Sequence, residues 1–198
     1  MKWACIISFI RRVFKIKTCI FINRAPDCIF RSIKGSLLNT GQTRRVFEIK
    51  GCSKYIIKEQ ISNSKNSSRH NEVENYFYSF ALNANNTEMV NSLAKVLAIS
   101  KTGKYLIMQK LETPVPVTEI FGYYPVEVSD RKLSNFGYAC NEKRVKMLDY
   151  STLVDEMNAQ PLDELTISGT VKLLDLNQLR NNERDSRDLL EKLNNLLM

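Results

Sequence analysis

Residues 128–151 limit the possible folds more than any other part of the chain. Asp130 is followed five positions later by Asn135. The chain continues through Phe136-Gly137-Tyr138, a polar turn, and the run Val145-Lys146-Met147-Leu148, which delivers Asp149. Two short β-rich runs around a polar turn read as a hairpin. The stretch therefore presents an acid, an amide and a second acid in order, on a loop and the far end of a hairpin.

The rest of the chain supplies a small scaffold for this stretch. At 198 residues it is one ordinary domain or a small two-lobed one, long enough to bury a core without disulfides. Residues 45–50 and 54–59 flank Gly51-Cys52-Ser53 and read as a hairpin that carries Lys58. Residues 61–69 are polar and rich in Ser and Asn, a loop. Val73, Phe77, Phe80 and Ala81 fall on one helical face over 71–82, with Asn71 as the predicted cap and His70 in the preceding loop. Residues 93–99 and 105–111 form a second predicted hairpin, closed by Pro114 and Pro116. Hairpin, helix, hairpin predicts an α+β fold, an antiparallel sheet with one covering helix. Beyond Asp149, a short helix capped by Ser151 is predicted, then a turn or strand at 166–170. Leu189, Leu190, Leu193, Leu196 and Leu197 make an apolar stripe on a terminal helix, which predicts core packing, with a partner-binding helix as the alternative.

Charge is uneven. Residues 1–58 hold thirteen Lys and Arg against two acids, although the whole chain is only +8. Such a front end suits phosphate-bearing partners: a nucleotide, a nucleic acid or an anionic membrane surface. The apolar run at 3–10 is too short to span a bilayer, so no transmembrane span is predicted. With the basic residues after it, this run could lie on a membrane as an amphipathic segment, or pack as an ordinary helix or strand. Ala25-Pro26-Asp27 reads as a linker. Five cysteines without C-x-x-C spacing, and a single histidine, argue against a zinc site and for free thiols in a reducing, cytoplasmic setting.

With these parts in order the chain resembles the protein-kinase-like superfamily, in a minimal and divergent form of the sort found among viral or phage-encoded proteins. The resemblance covers roughly residues 35–151. It implies a small antiparallel sheet lobe with one helix (35–112), a reduced second lobe (113–198), and a basic extension at 1–34. It also implies ATP and Mg²⁺ as cofactors. Residue by residue, Lys58 matches the strand lysine that contacts the nucleotide phosphates. Glu72 is the first choice for its helix partner and Glu74 the second. Met108 and Lys110 fall at the hinge that would face an adenine. Asp130 matches the catalytic-loop acid, and Asn135 and Asp149 the metal ligands, with Tyr150 and Ser151 where the family has Phe and Gly.

The chain also departs from the family. Val128-Ser129 replaces the usual His-Arg, no G-x-G-x-x-G precedes Lys58, and only 49 residues follow Asp149. Two functions stay open at this point: an ATP- and Mg²⁺-dependent phosphotransferase acting on a protein hydroxyl, and a pseudokinase-type module that binds a partner protein without transfer. A third is a basic nucleic-acid or membrane binder working through residues 1–58.

Overall fold

A computed structural model describes residues 23–61, 69–158 and 160–197; the predicted apolar N-terminal segment and most of the polar loop after Ile61 lie outside these residues. The first half is a five-stranded sheet in the order β1-β2-β3-β5-β4, antiparallel throughout. The strands are β1 (Lys34–Thr40), β2 (Arg44–Ile49), β3 (Cys52–Gln60), β4 (Val96–Ile99) and β5 (Tyr105–Gln109). Both predicted hairpins are therefore present, with β1 as an added edge.

Strand alternation sends neighbouring side chains to opposite faces. Phe47, Ile49, Ile57, Tyr105 and Ile107 pack with Phe30 and Ile33 of helix α1 (Asp27–Ile33) on one face. Leu106 and Met108 share the core on the other face with Val73, Phe77 and Ala81 of helix α2 (Arg69–Asn83). The segment read as a linker at Pro26 thus leads directly into a helix docked on the sheet. Its entry is fixed by the Arg24 amide donating to the Ile99 carbonyl (2.7 Å).

The register matters for the site. Val46 pairs with Lys58, and Arg44 with Gln60. Since Phe47 and Ile57 face α1, alternation turns Arg44 and Lys58 toward α2. Asn71 does not cap that helix. It lies inside the first turns, fully buried, and its amide donates to the carbonyls of Gly103 (3.0 Å) and Lys104 (2.9 Å), pinning α2 to the turn between β4 and β5. A short helix α3 (Thr87–Ser92), capped by the Asn86 side chain accepting from the Met89 amide, was not anticipated.

The second half is built from small pieces. Strands β6 (Phe121–Pro125) and β9 (Val171–Asp175) pair as one ribbon, and β7 (Phe136–Ala139) and β8 (Arg144–Met147) as another. Helix α4 (Asp155–Asn158) is a single turn, and helix α5 (Leu176–Leu197) ends the described chain. The residues predicted as turn or strand at 166–170 are irregular, and pairing begins at Val171. The architecture is α+β, a small antiparallel sheet with a covering helix followed by two short ribbons and a terminal helix.

Leu189 and Leu190 are exposed, at 60% and 59%, so core packing of that stripe is corrected. The side chains of Leu193, Leu196 and Leu197 lie outside the described residues. The reason is length. A 22-residue helix runs about 33 Å; its first turns, with Leu176 buried and Leu179 packed against the core, meet the body, and residues 181–192 are exposed. Arg180 anchors that end by donating to the carbonyls of Glu119 (2.8 Å) and Pro116 (2.7 Å).

The two halves are joined just after β5. Glu112 and Tyr138 exchange backbone hydrogen bonds (2.9 and 2.8 Å). Gly137 lies so close that a Cβ there would sit 2.6 Å from the Leu111 Cβ. Glu142 adds an electrostatic clamp, pairing with Lys95 (3.0 Å) and Lys146 (2.8 Å) and accepting from Gln109 (3.0 Å). Burial works against its charge, but these donors hold the carboxyl down at about 2.

Candidate functional site

The hairpin explains how the site is assembled. Phe136 pairs with Met147, so one step outward Asn135 faces Leu148, and the Leu148 amide donates to the Asn135 carbonyl (2.8 Å). Asp149 follows immediately. On the other flank, Asn135 Nδ2 donates to the Asp130 carbonyl (2.9 Å), closing the loop. The Ser129 amide donates to the Thr152 carbonyl (3.0 Å), and Val128 bridges Leu153. Asp130, Asn135 and Asp149 are thus tied to one end of the β7–β8 hairpin by backbone bonds and the Asn135 side chain.

Lys58 reaches this end from β3. It is 3% exposed, and its ammonium donates to both oxygens of Glu74 (2.8 and 3.0 Å) and to the Leu148 carbonyl (2.6 Å). The helix partner is therefore Glu74, which corrects the first choice of Glu72. Two residues on a helix differ by about 200°, so only one of the two acids can face Lys58. Glu74 shares the buried face with Asn71, Phe77, Tyr78 and Ala81. Glu72 is instead turned to the β4–β5 turn, where its carboxylate would meet a Cβ placed on Gly103 at 2.9 Å.

Arg44, which the sequence reading passed over, sits at the middle of the network. Its Nη1 lies 2.8 Å from Glu74 Oε2, and its Nη2 donates to Asp149 Oδ1 (2.5 Å) and Ser151 Oγ (3.0 Å). Ser151 Oγ donates to Asp149 Oδ1 (2.9 Å), so Ser151 braces the second acid and does not cap the helix that follows. His70 is part of α2 and half-buried, not an exposed loop residue. Its Nδ1 stands 3.1 Å from Ser151 Oγ. That hydroxyl's one proton goes to Asp149, so His70 Nδ1 must be the donor in this pair.

The charges sort accordingly. Burial pushes the Asp149 carboxyl up, but the Arg44 and Lys58 charges and the bonds from Arg44 and Ser151 hold it far below the usual carboxylate range. Burial, then Arg44, lowers the Lys58 ammonium, with Glu74 and Asp149 opposing. Burial opposes the Arg44 charge, yet Glu74 and Asp149 raise its pKa above the ordinary value. Burial and then Arg44 lower the His70 imidazole, with Asp149 and Glu74 opposing. Two buried cations face two carboxylates, which is the condition under which charges survive inside a protein.

The other predicted residues stand apart from this network. Asp130 pairs with Lys132 (3.1 Å). Met108 is buried between Ile56 and Val96 in the sheet, within the core. Lys110 pairs with Glu48 (3.5 Å) at the surface, and its amide donates to the Lys54 carbonyl (2.9 Å). The Gln109 amide likewise donates to the Lys95 carbonyl (2.8 Å). Of the predicted hinge groups, these two amides are already committed within the sheet lobe.

A divalent cation does not fit the residues as they stand. Asp149 Oδ1 accepts from both Arg44 and Ser151, so the Arg44 guanidinium already holds the place of a cation beside that acid. Among the described residues no group of three or more His, Cys, Asp or Glu could hold a metal.

No family model matches the chain, and no curated protein matches it. Among solved structures the chain is similar to that of the streptomycin–ATP–APH(2'')-IIa ternary complex, with 19% identity and a TM-score of 0.31. The match covers 46% of this chain and 28% of that one, so this chain spans under a third of that protein. Among the described residues, no helix is long and apolar enough to cross a membrane.

Proposed function

We propose that this chain is a kinase-like binding module, residues 35–198 with a basic extension at 1–34, that engages a partner protein without phosphoryl transfer. One observation carries the reading: the acid that would hold the metal is taken up by a cation of the protein itself. Asp149 Oδ1 accepts from the Arg44 guanidinium and from Ser151. Transfer in this fold depends on positioning and charge neutralisation of the phosphoryl group, and here the charges are neutralised internally. Free thiols at Cys28, Cys52 and Cys140 agree with a cytoplasmic setting.

The second reading is an ATP- and Mg²⁺-dependent phosphotransferase acting on a protein hydroxyl. The formed Lys58–Glu74 pair and the Asn135–Asp130 loop bond favour it. In it Lys58 would contact the phosphates, Asp130 would orient the acceptor, and Asn135 and Asp149 would hold the metal. The hinge around Met108 and Lys110 would face the adenine.

The two readings separate in a single assay. The full chain is incubated with γ-labelled ATP and Mg²⁺, alongside Lys58→Ala and Asp149→Ala, and its melting temperature is followed over the same titration. Ligand bound to the native state raises that temperature. The binding-module reading expects no label on the protein itself or on a generic acceptor. Label that disappears in both variants would establish the phosphotransferase instead.

A further inference from the structure

Arg44 is 6% exposed and enters a space where three oxygens converge: Glu74 Oε2 (2.8 Å), Asp149 Oδ1 (2.5 Å) and Ser151 Oγ (3.0 Å). Its Nη1, although 2.8 Å from Glu74 Oε2, has no hydrogen bond of acceptable geometry there. The guanidinium therefore serves Glu74 as a charge more than as a directed donor. Oxygen-only, carboxylate-rich surroundings are what hard divalent cations select. The cluster turns three oxygens toward one point, with the Lys58 ammonium and the His70 ring behind Glu74 and Ser151, and the Arg44 side chain fills that point.

We infer that Arg44 is a built-in counter-ion that keeps a divalent cation away from Glu74 and Asp149, and that its removal uncovers a metal site made of Glu74, Asp149 and Ser151. The inference deepens the reading of a module without metal-dependent transfer, and rests on it. With Arg44 present, Lys58 and Arg44 balance the two acids. Without it, two carboxylates face one ammonium, and the unpaired negative charge falls on Asp149 and the Glu74 oxygen that Arg44 had faced. A hard cation with water ligands then has both the charge and the donors it needs.

The test uses the full chain, stripped with EDTA and free of nucleotide, titrated with Mg²⁺ or Mn²⁺ while its melting temperature is followed. Wild type is expected to show no saturable shift. Arg44→Gln is expected to gain a saturable rise, and Arg44→Gln with Asp149→Asn to lose it. Arg44→Met keeps the stem's packing, drops the charge, and must gain the rise as well. A saturable rise in wild type that Asp149→Asn abolishes overturns the inference. So does the absence of stabilisation by metal in both Arg44 variants, whether or not they fold unaided. Phosphate incorporation by wild type would instead overturn the binding-module reading, and the behaviour of the nucleotide-free protein toward metal would still decide this one.

Discussion

Replacing Glu74 by alanine is expected to lower the unfolding free energy by about 3–5 kcal/mol, the range for removing one partner of a buried ion pair. The side chain is fully buried and is the acid shared by Lys58 and Arg44. Its Oε1 also lies 3.4 Å from the Tyr150 amide. Without it two buried cations would keep only Asp149 as a counter-charge, and that carboxylate is 36% exposed. Urea denaturation of Glu74→Ala beside Glu72→Ala tests the assignment. Glu72 touches neither cation, so its loss should cost well under 1 kcal/mol, as is usual at a partly exposed position. Equal effects from the two variants would contradict the pairing.

Tyr150→Ala is expected to cost a similar amount, about 3–5 kcal/mol, by leaving a cavity where a large aromatic ring was buried. Tyr150 is fully buried, its ring lies 6.5 Å from that of Phe77 at 52°, and its hydroxyl donates to the Ala94 carbonyl (3.0 Å). It thus ties the residue after Asp149 to both α2 and the entry to β4. Tyr150→Phe keeps the ring and strands only the carbonyl, so its cost should be about 1–3 kcal/mol. If Phe and Ala at this position were equally costly, the hydroxyl and not the packing would be the important group.

The parts of the fold visible in the sequence were those written locally. Both hairpins, the α2 helix and the Asp130-Asn135-Asp149 order rest on periodicity and turn residues within short windows. The partner of Lys58 could have been chosen by phase. His70, Glu74, Phe77 and Ala81 lie at spacings of four, three and four, a single helical stripe, and the acid on that stripe is Glu74. The same stripe places His70 inward, and treating it as a loop residue broke the pattern one turn early. Arg44 offered no comparable signal. Its partners Asp149 and Ser151 are 105 and 107 residues away, and an Arg at the start of a strand usually lies at the surface. The β2 alternation predicts that Arg44 shares a face with Val46, but not that the face is closed over by the second lobe. The terminal helix failed for the opposite reason: its apolar stripe was clear, yet a stripe states only that a face is apolar, not that the chain supplies something to cover it.

All of this depends on one contact, the bridge from Arg44 to Asp149 across the two lobes. A double-mutant cycle in urea, with Arg44→Gln, Asp149→Asn and the pair, measures it without ligand or metal. The expected coupling is roughly 0.5–3 kcal/mol, the range for residues sharing one network. Effects that add to within about 0.5 kcal/mol, the behaviour of independent sites, would mean that Arg44 does not hold Asp149 and that the acid is open to a metal.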